Sequence, residues 1–324
     1  MLKNANSFDP LRLFFHLVRT GRTLFRAHEG RWYSRSERYF LKVYDSHDAA
    51  ERERLVLNAI KNMQPQTFDV PQTLNLVEKG EQSAILMEYV KGNELEPSTH
   101  SFLMFGTSET LNTFFHLGHA LREFHDIIPI TLHSNITTSK KSLVDSVKEM
   151  VNTLRDYGVL SPDDTSTILQ VMKSVDICEN VLRVVRLHGE AYFTHMRFSD
   201  NIFIFLDLEK SFEGPAYYDL ATFLVSMYAS VLVSKRSMQR LALLRNAFLR
   251  GYFGSDVPSA SLRIAELSVI LQEILKLHMS SKVDLSIRVR LLCRLKLRRF
   301  LWLLEAMLTS SDSRGLTKDV RLSS

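Results

Sequence analysis

Between residues 188 and 209 the chain sets His188, Glu190, His195, Asp207 and Glu209 around two short apolar runs, VLRVV before them and NIFIFL among them. Carboxylates held at the ends of buried strands suit two tasks. They accept a proton from an attacking hydroxyl, and they ligate a hard divalent cation through oxygen. Glu190 follows VLRVV closely, in position for the first task. Asp207 ends NIFIFL with Glu209 just behind it, and FLDLE is a poor turn sequence, which favours the second task over a surface turn. The set fits a site that handles phosphate and metal.

A second candidate group lies upstream. In FLKVYDS, Lys42 interrupts an apolar strand. A buried ammonium is costly unless it finds a partner, so Lys42 faces either solvent, as on an edge strand, or a cleft. The segment that follows offers Glu51 and Glu53 as partners. Further on, ILMEYVKGNEL carries Glu88, Tyr89 and Val90 into a glycine-containing connector. That is either a hinge whose backbone can hydrogen-bond a purine or an ordinary strand and turn.

These residues need elements to position them. Segments 22–27 and 39–44 alternate as strands across the polar connector HEGRWYSRSER, and an antiparallel pair is the simple reading. Residues 46–62 open with capping residues and place Ala50, Leu55, Leu57 and Ile60 among charges, as a surface helix does. Strands over 73–77 and 83–90 flank the turn EKGEQ. From Ser108 onward the period becomes 3.6, with helices expected at 108–126, 139–157, 162–175, 216–232, 234–252, 259–279 and 284–309. The expectation is an α+β chain: a small sheet lobe over 1–90 with one helix, and a mostly helical lobe over 91–324.

The order of motifs resembles the aminoglycoside phosphotransferase and choline kinase branch of the protein-kinase-like fold. FLKVY, LMEYV, LGHALREFH, LHGEAYFTH, FLDLE and GPAYYDLATFL occur in that family's order over roughly residues 20–230. The resemblance implies a two-lobed fold, with ATP and Mg²⁺ used to phosphorylate a hydroxyl. Lys42 would grip the nucleotide phosphates with Glu53 as its partner, and Glu88, Tyr89 and Val90 would form the nucleotide hinge. Glu190 falls on the catalytic base, Asp207 on the metal-binding aspartate, and His195 on the second metal-ligand position, where it would assist the metal or the transferring group. Asp219 falls on a structural aspartate that steadies the catalytic loop.

Two positions depart from that pattern. Glu190 replaces an aspartate and is one methylene longer, and catalysis tolerates displacement badly. His195 replaces an asparagine and is a poorer partner for hard Mg²⁺. Lipopolysaccharide core heptose kinases resemble the loop more closely at the tyrosine and histidine of Glu190-Ala191-Tyr192-Phe193-Thr194-His195. The phosphate-binding loop is poor in glycine, with only Gly21 and Gly30 at hand and Arg31, Arg35 and Arg38 nearby.

Composition leaves room for this reading. At 324 residues and 45% hydrophobic the chain can bury a large core. Cys178 and Cys293 offer no disulfide framework, read as core filler, and suit a reducing cytoplasm. No signal peptide is read in the amphipathic N-terminal stretch, and no apolar run reaches the roughly eighteen residues a membrane span needs. The +5 charge is partly clustered in IRVRLLCRLKLRRFLWLLEAML. That segment is either a core-packed terminal helix with a charged outer face or a basic amphipathic helix at the inner face of an anionic membrane. Aromatic residues do not interleave with the basic cluster, so no nucleic acid is expected. The acceptor would be a small molecule or an envelope glycan of lipopolysaccharide type. The competing readings are a pseudokinase that binds or scaffolds without turnover, and a membrane adaptor.

Overall fold

The computed structural model describes residues 24–26, 32–35, 39–44, 46–79, 82–106, 108–128, 140–175, 177–230 and 235–282, with 297–298, 300–301 and 304 near the C-terminus. The amphipathic N-terminal stretch, Gly21, Gly30, Arg31, Arg38, Cys293 and most of 284–309 lie outside the described residues.

The N-terminal lobe is a five-stranded antiparallel sheet. Strands β1 (Leu24–Arg26), β2 (Trp32–Arg35), β3 (Tyr39–Tyr44), β5 (Thr73–Lys79) and β6 (Gln82–Glu88) run in the spatial order β1-β2-β3-β6-β5. Part of the connector read as polar, WYSR, is itself strand β2 and separates the two segments expected to pair. Aromatic Trp32 and Tyr33 supply strand propensity that the surrounding charges obscure. Lys42 pairs with Tyr33 on one side and Ile85 on the other, so β3 is an interior strand and the edge-lysine reading falls away.

Helix α1 (His47–Met63) starts at Ser46, whose hydroxyl accepts the Ala49 N–H. Its buried stripe is Ala50, Glu53, Leu57 and Ile60. Leu55, expected among the apolar positions, is exposed, and Glu53 takes the inward place. A carboxylate on the apolar face of a helix is tolerated only when it is paired.

Strand β4 (Phe68–Asp69) leaves this lobe and pairs in parallel with β10 (Ile202–Phe205) in a second sheet ordered β4-β10-β9-β7, where β7 is Asn93–Glu94 and β9 is Met196–Ser199. Glu123 fastens the approach to β4 by accepting the Gln66 and Thr67 N–H groups, both at 2.8 Å. The connector after β6 is clipped to the same sheet: Arg197 donates to the Gly92 carbonyl at 3.2 Å and to Glu94 at 3.0 Å.

The helical lobe begins with α2 (Leu95–Phe105), which the sequence reading left unassigned, and α3 (Ser108–Ile127). It continues with α4 (Lys140–Asp156), α5 (Pro162–Ser174), α6 (Glu179–Leu182), α7 (Tyr217–Ser230), α8 (Lys235–Phe253) and α9 (Ser259–Lys282). Helices α3 and α8 approach at backbone distance. A Cβ at Gly118 would collide with the Phe248 carbonyl, and one at Gly251 with the Phe115 carbonyl. A ribbon of β8 (Val184–Leu187) and β11 (Phe212–Pro215) supports the loop between them. Beneath it lies an aromatic cluster in which Phe68 stacks on Phe205 at 5.2 Å and Phe124 meets Phe205 edge-on at 5.5 Å. Cys178 is exposed, contrary to the expectation of core filler, at the residue that precedes the short helix α6. Among the described residues no helix is long and apolar enough to cross a membrane.

Candidate active site

Lys42 joins three segments far apart in sequence. Its ammonium lies 2.6 Å from Glu53, in contact with Asp207 Oδ1 and 3.4 Å from Glu209. Lys42 and Glu53 are each only 2% exposed. Burial works against the ammonium's charge, but the Glu53 and Asp207 carboxylates outweigh it and hold Lys42 above its ordinary range. Burial likewise acts to raise Asp207; Lys42 overrides it and brings the carboxyl down to about 2. Burial raises Glu53 against the pull of Lys42.

Glu53 is held at both oxygens. Oε2 accepts from Lys42 and from the Tyr44 hydroxyl at 2.5 Å, while Oε1 accepts the Leu208 N–H at 3.2 Å. Glu209, read in the sequence as the second acid beside Asp207, lies in this cluster, and Tyr44 is a member that the sequence reading did not place in it. Tyr44 stands two residues beyond Lys42 on β3, and period two puts both on one face of the sheet. Glu51, the other candidate partner, instead pairs with Arg54 on the outer face of α1.

Asp207 sits in left-handed backbone (φ 64) at the entrance to the short turn Leu208–Lys210. This conformation turns the carboxylate away from β10 toward Lys42 and the loop at 188–195. There His195 Nδ1 lies 3.0 Å from the Glu190 carbonyl, an acceptor only, so Nδ1 carries the proton. Nε2 is then presented 3.9 Å from Asp207 Oδ2. Glu190, His195 and Asp207 each bring a ligand atom within 4.8 Å of the others, as do Glu53, Asp207 and Glu209. The second group already encloses an ammonium. The first, with two carboxylates and an imidazole nitrogen, is the better fit for a divalent cation that also takes oxygen from water or phosphate. Glu190 further accepts from Lys210 Nζ at 2.6 Å.

The loop itself is fixed from below. Asp219, at the start of α7, accepts the His188 N–H at 2.6 Å, the Gly189 N–H at 3.1 Å and His125 Nε2 at 3.0 Å. The Tyr252 hydroxyl meets the other nitrogen of His125 at 2.7 Å. Gly189 has φ +86, and a Cβ there would collide with the Lys210 carbonyl. The His188 ring is wholly buried beside Phe124, Phe205 and His195, and neither ring nitrogen has a partner among the described residues. Burial pushes its pKa down to about 4 against the pull of Asp219, so the imidazole is neutral at pH 7.

Lys42, Glu53, Glu190, His195 and Asp207 thus converge. Glu88 ends β6 with its side chain exposed and its N–H on the Gln72 carbonyl at 2.9 Å, while Tyr89 and Val90 lie half-buried in the connector between the lobes. None of the three makes a described contact with the carboxylate cluster; they lie at the end of β6 and in the connector that follows it.

Residues 21–262 match the model of the phosphotransferase enzyme family. No curated protein sequence matches the chain significantly. The fold resembles the GDP complex of aminoglycoside 2'-phosphotransferase-IIIa, with a TM-score of 0.62 at 12% identity over 93% of this chain and 99% of that one. It also resembles ADP-bound aminoglycoside phosphotransferase APH(2'')-Ib, with a TM-score of 0.55 at 15% identity over 92% and 97% of the two chains. A third likeness is to APH(3'')-Id from Streptomyces rimosus in complex with ADP and streptomycin, with a TM-score of 0.50 at 15% identity over 82% and 99%. These structural likenesses establish the fold, a two-lobed kinase-like α+β arrangement.

Proposed function

The chain belongs to the phosphotransferase enzyme family, and from that premise we propose that it transfers the γ-phosphoryl group of ATP to a hydroxyl of a small molecule or glycan. The observation that carries this reading is the junction at Lys42, where one buried ammonium links β3, α1 and the turn after β10. Such a junction positions a cation where nucleotide phosphates enter and fixes it to the carboxylate beside the reacting groups.

In this reading Lys42 holds the α- and β-phosphates, Glu53 and Tyr44 fix its direction, and Glu88, Tyr89 and Val90 line the nucleotide's base. The lobe boundary then falls near residue 90. Asp207 would hold Mg²⁺ with His195, and the ion when bound would neutralise phosphate charge. The acceptor hydroxyl attacks the γ-phosphorus as its proton passes to a Glu190 carboxylate oxygen. The bond from that phosphorus to the β-γ bridging oxygen breaks, and ADP leaves with the electron pair. Asp219, itself held by His125, keeps Glu190 at the right height by gripping the two residues before it.

Replacing Asp207 by Ala is expected to abolish ATP turnover in the presence of Mg²⁺ while the circular dichroism spectrum stays unchanged. Undiminished turnover in that variant overturns the assignment. One observation favours a second reading, a protein that binds nucleotide without turnover: the Glu190 carboxylate is engaged by Lys210. A thermal-shift titration reads the binding that both share, since a ligand at a hundred times its Kd stabilises by about 2.7 kcal/mol. Steady-state hydrolysis then separates them.

A further inference from the structure

We propose that Lys210 is a catalytic residue of this transfer. Its ammonium holds Glu190 while the site lacks nucleotide, then swings to a non-bridging oxygen of the γ-phosphoryl group and frees Glu190 to take the acceptor's proton. The inference rests on the phosphotransfer reading and deepens it.

Four observations place Lys210 for this task. The Nζ–Oε1 distance to Glu190 is 2.6 Å, within charge-assisted hydrogen-bonding range. The lysine side chain is 48% exposed and Glu190 18%, so the pair is open on the lysine side and the four-carbon stem can turn. Its root cannot drift, because the Lys210 carbonyl packs onto Gly189 too closely for any side chain at that position. Finally, Lys210 ends the turn that Asp207 begins, and Asp207 shares with Glu190 and His195 a cluster of ligand atoms within 4.8 Å. The lysine therefore borders the space between the base and the metal-binding carboxylate, through which a transferring phosphoryl group passes.

The charge balance of the site supports the same role. Lys42 is buried and already holds Glu53, Asp207 and Glu209. It meets Asp207 through Oδ1, whereas His195 and its neighbours stand at the Oδ2 side. On that side His195 offers a nitrogen, a weaker partner than oxygen for a hard cation. Charge spread over the equatorial oxygens of the transferring group needs stabilising there, and Lys210 is placed to supply it. No bond to Lys210 forms or breaks: it exchanges one acceptor oxygen for another as the γ-phosphoryl oxygens arrive. The exchange also answers the objection that the base is occupied, since the arriving nucleotide withdraws the cation.

The test compares the full-length protein with Lys210→Met and Lys210→Arg. Three quantities are measured: affinities for Mg²⁺-AMP-PNP and Mg²⁺-ADP by calorimetry, kcat and KM for ATP hydrolysis with water as acceptor, and the urea midpoint. Losing a charge-assisted contact to the γ-phosphoryl group lowers the AMP-PNP to ADP affinity ratio of Lys210→Met roughly tenfold. It lowers kcat on the order of a hundredfold with KM for ATP moving far less. Lys210→Arg keeps much of both, and all three proteins share nearly one urea midpoint, because the pair is open to water on the lysine side. A Lys210→Met protein that binds both nucleotides with the wild-type ratio and turns over at the wild-type rate overturns the role of Lys210 and leaves phosphotransfer standing. Wild-type protein that binds neither nucleotide overturns both.

Discussion

Removing the Lys42 ammonium leaves three carboxylates facing one another in a pocket nearly closed to water. In Lys42→Met the side-chain volume is nearly kept, so the loss is electrostatic. Lys42 and Glu53 are each 2% exposed and Asp207 23%, which places the cluster among buried pairs. Taking one partner from such a pair costs about 3–5 kcal/mol. The pH dependence identifies the cause. In the wild type Asp207 titrates near 2 instead of 3.8, worth about 2.4 kcal/mol at roughly 1.4 kcal/mol per tenfold. A depressed carboxyl contributes stability that is whole above the unfolded value and is lost as pH falls through the folded one. Glu53, raised by burial, acts oppositely, and its charged form costs stability once pH exceeds the unfolded value. Without the ammonium Asp207 loses the pull that lowered it and follows the Glu53 pattern. The variant is therefore weakest at neutral pH and regains ground as it is acidified toward pH 4. Urea unfolding of both proteins at pH 7.5, 6 and 4.5 measures the gap, expected near 3–5 kcal/mol at pH 7.5 and narrowing at each lower value. A variant as stable as the wild type at pH 7.5, or a gap constant with pH, refutes the account of Lys42 as the cluster's counter-charge.

Three further outcomes follow from the same geometry. His188→Phe removes a group held near 4 instead of 6.5; that group's roughly 3 kcal/mol of stability is intact above pH 6.5 and lost toward pH 4, so the variant's unfolding midpoint flattens over that interval while the wild type's falls. Gly189→Ala meets both a positive φ and the Lys210 carbonyl, and is expected to lose more than about 2 kcal/mol by chemical denaturation and to abolish ATP turnover by shifting Glu190. Gly118→Ala and Gly251→Ala each force α3 and α8 apart at about 1–3 kcal/mol, and the double variant costs less than their sum because the first separation makes room for the second; thermal unfolding of the four proteins tests the coupling.

The motifs that could be read in the sequence are those whose signal is local. Strand alternation around Lys42, the capped start of α1 and the apolar run before Asp207 each show within a dozen residues, and each marks a true element of the site. Glu51 and Glu53 were both legible as partners, and only the family pattern singled out Glu53; helical period alone put Leu55 on the inner face, and the buried lysine decided for Glu53. Glu209 was legible as a second acid beside Asp207, but neither it nor Tyr44 carries a local signal for its contact with Lys42 and Glu53, because that contact depends on the turn after β10 folding back onto α1, 155 positions away at Leu208 and Glu53. Strands β4 and β7, of two residues each, are defined by partners more than a hundred positions away, β4 by one in the other lobe, and have no period of their own. Strand β2 was hidden in a charged connector whose aromatic pair outweighed its arginines.

Two fastenings beside the lobe boundary, apart from the ties that Lys42 and Glu53 make across it, have a kinematic meaning. One is the connector clipped by Arg197 at Gly92 and Glu94; the other is the stretch before β4, gripped by Glu123 and paired to β10. A body pinned at one point can swing in any direction, whereas a body pinned at two keeps only rotation about the line through them. A rotation of the lobes about that line would change the separation of Lys42 from Asp207.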